Sequence, residues 1–179
     1  MKIHILGASS SGVTTLGNAL SQQLNIPYFD SDEYYWEKSD PPFTIRRNPS
    51  DRTLMIKKDI EKAKDWILGG SIISWGDIFP RFDLIVFLWL PPHIRMERLK
   101  EREFSRYGNI IYTDLTRIKQ YNDFIAWSAD YDNHTGIATR TLNAHENWLK
   151  QMNIPILEIR GDYSTQERIQ LILKKLSEL

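Results

Sequence analysis

The chain has 179 residues, 41% of them hydrophobic and 26% charged, which suits one domain with a sizeable core. Lysine plus arginine equals aspartate plus glutamate at 23 each, so no overall basic field points to a nucleic-acid partner. With no cysteine, disulfides, thiolate chemistry and Cys-based zinc sites are excluded; the opening apolar run is too short for a secretion signal, and LIVFLWLPP falls far short of a membrane span, so a soluble cytoplasmic protein without membrane partners is expected.

In chain order, KIHIL (2–6) reads as the first strand, and Val13, Leu16, Leu20 and Leu24 then recur at helical spacing. Pro27 ends that helix, and YFD (28–30) makes a short strand ending in acid. Ser50 offers a cap for a helix with Leu54, Ile60 and Ala63 facing inward, and WILGGS (66–71) reads as a strand closing on a glycine turn. LIVFLWL (84–90) is apolar on both faces, as a central parallel strand must be. Pro91 and Pro92 start a charged helix that Gly108 closes. Residues 109–138 are polar and aromatic without a clear period, and no element is assigned there. A helix around 140–151, a strand at IPILEIRG and a last helix with a capping box from Ser164 to Glu167 complete the chain. Ile169, Ile172, Leu173 and Leu176 give that helix its buried face. Strands alternating with helices predict a parallel α/β sheet of five strands.

GASSSGVTT (7–15) lies at the junction of the first strand and first helix. Gly7 and Gly12 let the backbone of Ala8, Ser9, Ser10 and Ser11 wrap an anion, the helix start adds unpaired N–H donors, and Thr14, supported by Thr15, has the place of a magnesium-binding hydroxyl. Two glycines at a fixed spacing occur by chance at roughly 1 in 200 positions, so the strand–loop–helix context carries the assignment. The alternative is a Gly/Ser turn that binds nothing. Val13 stands where such loops carry the lysine that reaches the outer phosphates. Either another cation replaces it or transfer is slow.

Other candidates follow from position. Asp30 and Asp32, two apart, share a face if the second strand continues that far. Arg46, Arg47 and Arg52 offer a fork for a phosphate or carboxylate. Gly70 and Ser71 end the third strand at the carboxyl edge, where open α/β sheets bind ligands. Arg98, Arg102 and Arg106 at i, i+4, i+8 line one helix face, although Glu97, Glu101 and Glu103 beside them equally suit a solvated salt-bridged surface. Arg140 is a weaker phosphate contact, Asp77 a further acid, and Trp36 and Trp75 either stack on a base or pack. His134 and His145 have no metal-binding partner spacing and read as structural or surface residues.

With the loop, YFDSDEYYW and the arginine helix together, the chain resembles the small P-loop kinases of the adenylate-kinase and nucleoside/shikimate-kinase type. The resemblance spans most of the chain in element order and implies a three-layer P-loop NTPase fold: a five-stranded parallel sheet with a helical lid in a single domain, 1–179. It implies an acceptor-binding segment near 31–65 and a lid near 98–138. It also implies ATP and Mg2+ as cofactors, with residues 7–15 on the phosphates and Thr14 and Asp30 on the metal side. Asp32 would act as acceptor-side catalytic residue, with Arg46, Arg47, Gly70 and Ser71 on the acceptor and Arg98 and Arg102 on the transferring phosphoryl. The expected function is phosphoryl transfer to a nucleotide or nucleoside, by a monomer or homodimer. A hydroxyl metabolite as acceptor and a nucleotide-binding protein without transfer remain alternatives.

Overall fold

The computed structural model describes residues 1–40 and 42–179. Five strands, β1 (Lys2–Gly7), β2 (Tyr28–Asp30), β3 (Trp66–Gly69), β4 (Leu84–Trp89) and β5 (Ile156–Arg160), form one all-parallel sheet in the order β2-β3-β1-β4-β5. Its helices are α1 (Val13–Leu24), α2 (Ser31–Tyr35), α3 (Pro49–Ile60), α4 (Pro92–Tyr107), α5 (Ile110–Thr113), α6 (Leu115–Asn133), α7 (Leu142–Lys150) and α8 (Thr165–Ser177).

Period-two alternation makes three layers. Ile3, Ile5, Ile67, Val86 and Leu88 point to one side and pack with Leu16, Leu20, Ile169 and Ile172 of α1 and α8. Leu6, Trp66, Leu68, Ile85 and Phe87 point to the other side, with Ile56 and Ile60 of α3 and Leu149 of α7. Because both faces are covered, the central strands are apolar throughout, as the sequence pattern predicts. β1 lies between β3 and β4, so the loop that follows it emerges at mid-sheet on the carboxyl edge, the place where parallel α/β sheets hold ligands.

Several expectations are corrected in detail. β3 stops at Gly69 and β5 at Arg160, because Gly70 at φ +98° and Gly161 at φ +132° turn the chain. The cap of α3 is Asn48, whose side chain accepts from the Ser50 N–H, with Pro49 in the first turn; Ser50 lies inside the helix. Leu54 is 68% exposed, and Arg52, Ile56 and Ile60 at four-residue spacing form the buried stripe of α3 instead. Asp30 and Asp32 do not share a strand face, since β2 ends at Asp30 and Asp32 belongs to α2. The unassigned stretch 109–138 is mostly helix, with Asp114 capping α6 through the Arg117 N–H.

Candidate active site

The loop between β1 and α1 is wound tightly enough to aim its donors. Ser10 and Gly12 both adopt left-handed backbone conformations, at φ +64° and +95°, and the Ser11 N–H closes a turn on the Ala8 carbonyl at 3.1 Å. Gly12 is the residue before α1 and carries no capping side chain, and no acid occupies the first turn. The first N–H groups of α1 therefore lack side-chain caps, and the positive end of its dipole faces the cleft. Ser10 Oγ and Ser11 Oγ are buried without a hydrogen-bond partner among the described residues; Ser10 lines the cleft, whereas Ser11, expected on the ligand, is fully buried with its hydroxyl turned toward Gly7. Orphaned donors and an uncapped helix start fit a multiply charged oxyanion such as a nucleotide phosphate.

Across the loop stand the two carboxylates. Asp30 Oδ2 accepts from Thr14 Oγ1 at 2.8 Å and from the Tyr28 hydroxyl at 3.1 Å, while Oδ1 accepts from the Asp32 N–H at 3.0 Å and caps α2. Those donors hold the Asp30 carboxylate in place beside the loop. Thr14 and Asp30 together supply a hydroxyl and a carboxylate, a donor set suited to a hydrated magnesium ion, which prefers oxygen and keeps several waters. Asp32 is open to water from the cleft but enclosed by protein on its other sides. That crowding raises its pKa, Asp30 adds to the rise, and Arg140, Arg102 and Arg106 oppose it.

Both groups line a cleft of about 1880 Å³, well above the roughly 300–1,000 Å³ of a pocket for one small ligand. Its far wall carries Tyr35, Trp36, Phe43 and Arg46 from the segment after β2, with Gly70 and Ser71 at the end of β3. Gly70 is required there: a Cβ would stand 1.9 Å from Ser31 Oγ, at a positive φ besides. Arg102 reaches the loop after β1 itself, with Nη2 3.5 Å from Ser9 Oγ. Arg106 lies 4.8 Å above the Phe43 ring, linking α4 to the segment after β2. Arg140 and Trp127 also line the cleft, the guanidinium 5.7 Å from the ring.

Not every candidate joins the cleft. Arg47 is turned away and paired twice with Glu37, at 3.1 and 3.2 Å, with a further bond to the Trp36 carbonyl. Arg52 is buried, stacked 4.0 Å over Trp75, which packs in the core. Asp77 is exposed beside a separate shallow hollow. Arg98 lines the cleft but is paired with Asp162 at 2.7 Å. Val13 borders the cleft while packing against the core layer of α1 and α8. His134 ends α6 in a left-handed conformation, and His145 is wholly buried.

Three features went unread in the sequence. Arg168 of α8 donates from Nη1 to the Ser11 carbonyl at 2.8 Å, directly behind the loop. Its signal was present: Arg168, Ile172 and Leu176 recur every four residues, which puts an arginine on the apolar stripe. Arg95, 1% exposed, ties α4 to α6 through Asp132 Oδ2 at 2.6 Å and the Ser128 carbonyl at 2.8 Å. His145 Nε2 meets Ser71 Oγ and its Nδ1 meets the Tyr131 hydroxyl, each at 2.9 Å. No sequence spacing links those three.

Comparison with known proteins bears on this geometry. No family model matches the chain. It is 42% identical over 176 residues to an uncharacterized protein of Bacillus subtilis (strain 168), YqaC, covering 98% of this chain and 97% of the relative. Among solved structures, deoxyadenosine kinase from M. mycoides superposes over 100% of both chains at 14% identity with a TM-score of 0.57. Shikimate kinase from Acinetobacter baumannii covers 99% of this chain and 93% of its own at 13% identity, TM-score 0.58. A gluconokinase from Sinorhizobium meliloti 1021 covers 99% and 91% at 13% identity, TM-score 0.53.

Proposed function

This chain belongs to the family of the Bacillus subtilis protein YqaC and has the fold of the small P-loop kinases, and from that premise we propose an ATP-dependent phosphotransferase that acts on a small acceptor, a nucleoside or nucleotide. The observation that carries the reading is the pairing, across one cleft, of an uncapped loop holding the orphaned Ser10 hydroxyl with the fixed Thr14–Asp30 pair. The cleft volume suits two ligands side by side.

In this reading the backbone N–H groups of residues 8–14 with the Ser10 hydroxyl would hold the donor phosphates, and Thr14 and Asp30 would hold magnesium. Bound magnesium neutralises phosphate charge and fixes the phosphate geometry. Arg102 brings positive charge to the loop and Arg106 to the wall opposite, and Gly70 and Ser71 leave room for the acceptor beside Asp32. The aromatic wall of Tyr35, Trp36 and Phe43 suits a base stacked near Arg46. The Asp32 carboxylate takes the proton of an acceptor hydroxyl as that oxygen bonds to the γ-phosphorus, while the bond from that phosphorus to the bridging oxygen breaks and ADP leaves with the electron pair. Catalysis is then positioning and charge neutralisation within the cleft.

Val13 favours a second reading, in which nucleotide binds without useful transfer. ADP release from Mg-ATP, measured against nucleosides, nucleoside monophosphates and small hydroxyl metabolites with a no-acceptor control, separates the two. Acceptor-dependent release is the expected result. Thermal stabilisation by ATP with no release for any acceptor sinks the transferase and leaves the binder; a signal with hydroxyl metabolites alone moves the acceptor class.

A further inference from the structure

We infer that Arg168 supplies the fixed positive charge of the phosphate loop, in the role left open by Val13. The inference rests on the nucleotide reading of residues 7–15 proposed above.

Arg168 comes from the last helix yet sits against the first loop. It is 4% exposed, borders the cleft, and donates from Nη1 to the Ser11 carbonyl at 2.8 Å. A Cβ on Gly12 would stand 2.8 Å from the same nitrogen, so the absent side chain of Gly12 makes room for the guanidinium. Its Nε is buried and has no partner among the described residues, and it forms no direct ion pair there; the acid whose charge reaches it, Asp162, is itself paired with Arg98. A buried cation without a direct ion pair is costly, and an apolar residue would serve the α1–α8 packing better. Its neighbours on the stripe, Ile169 and Ile172, are apolar. The cost has a counterpart in the cleft, where Ser10 Oγ also lacks a partner. One anion at the loop would answer all of these groups electrostatically.

The other cations nearby are less suited. Arg98 is paired with Asp162, and Arg102 with Glu103, each on the accessible side of α4. Arg95 has Asp132. Arg168 alone among these arginines meets the loop without a carboxylate partner. It is held rigidly by the helix whose capping box, Ser164–Glu167, fixes the start of α8 just before it. A charge held in place before the ligand arrives stabilises that ligand without reorganisation.

The test is a binding cycle on the full chain: wild type, Arg168→Met, Val13→Lys and the double variant, each titrated with Mg-ATP and with adenosine. Arg168→Met is expected to melt cooperatively, to bind ATP about 10- to 100-fold more weakly, and to keep its adenosine affinity. Val13→Lys is expected to recover much of the ATP affinity in the Arg168→Met background and to add little to wild type. Where the methionine variant does not fold, Arg168→Gln keeps a donor for the Ser11 carbonyl without the charge and is expected to show the same ATP-selective loss. Equal ATP affinity in the neutral variant and wild type overturns the inference, as does equal loss for adenosine and ATP, which marks a structural strut. An identical gain from Val13→Lys in both backgrounds also overturns it. Wild type that binds no ATP overturns the nucleotide reading itself, so the two failures are distinguishable.

Discussion

Asp30 and Asp32, two positions apart, meet opposite surroundings. Three donors fasten Asp30, whereas Asp32 sits free in the cleft with its pKa raised by crowding and by Asp30. A raised carboxyl pKa improves a base for an acceptor hydroxyl and moves the acid limb of the rate profile up from the usual carboxylate range. Asp32→Asn is therefore expected to lower kcat on a hydroxyl acceptor by about 10²–10⁴-fold and to abolish that limb. A rate within threefold of wild type at neutral pH would remove Asp32 from the base role. Stability moves the other way. With the folded-state pKa above the unfolded one, the folded chain binds that proton more tightly, and ionisation at pH 7 opposes folding. The asparagine variant is expected to melt no lower than wild type.

The elements differ in how much of them sequence reveals, and α4 shows why. Its buried stripe is Arg95, Leu99 and Glu103, while Arg98, Arg102 and Arg106 occupy the neighbouring face, so charge covers both and the spacing does not say which face binds. The structure ranks the three: Arg102 reaches Ser9 Oγ, Arg106 stacks on Phe43, and Arg98 is taken up by Asp162. Arg102→Ala is expected to reduce kcat/KM by at least about tenfold and Arg98→Ala by less than about threefold. Equal losses in steady-state assays would contradict that ranking. The strands and α1 were legible because burial on two faces, or on one stripe, leaves a regular apolar period. α6 was not, because Tyr121, Phe124 and Trp127 line the cleft while Ser128, Asp130 and Tyr131 are buried among polar partners. Leu115 is 84% exposed, so the apolar residues of α6 do not mark a core face. At the site, the loop and Asp30 meet in one cleft as their order along the chain predicts, whereas Arg47 is drawn to Glu37, ten residues away, a pairing that spacing does not reveal. The apolar stripe of α8 marks Arg168 as buried but not what it meets, because the Ser11 carbonyl lies 157 residues away.

Across the whole molecule, two buried histidines set an acid limit on folding. His4 of β1 stacks on Phe82 and meets Trp148 edge-on in the layer between the sheet and α7. Its Nδ1 faces the Leu68 carbonyl at 3.1 Å, and a carbonyl only accepts, so Nδ1 carries the proton and Nε2 is left buried and unpartnered. Burial lowers its pKa from 6.5 to about 4. His145 on α7 is lowered to about 3, by burial first and then by the charges of Arg140 and His4. Between pH 6.5 and about 4 the unfolded chain takes up protons at these two sites that the folded chain refuses, so stability falls as pH falls, by up to about 1.4 kcal/mol per pH unit for each histidine. Asp32 works weakly against this trend, since its raised pKa lets the folded state protonate first. Asp130, held down to about 2 by the Ala138 N–H and Thr135, acts in a lower window. Urea unfolding from pH 7 down to pH 4 is expected to show the midpoint dropping steadily, and His4→Gln to flatten the slope by about half. The slope is the readout, because the substitution also removes ring packing and lowers stability at every pH. An unchanged slope in His4→Gln would mean that His4 titrates alike in the folded and unfolded chains, and that the core beside β1 admits water.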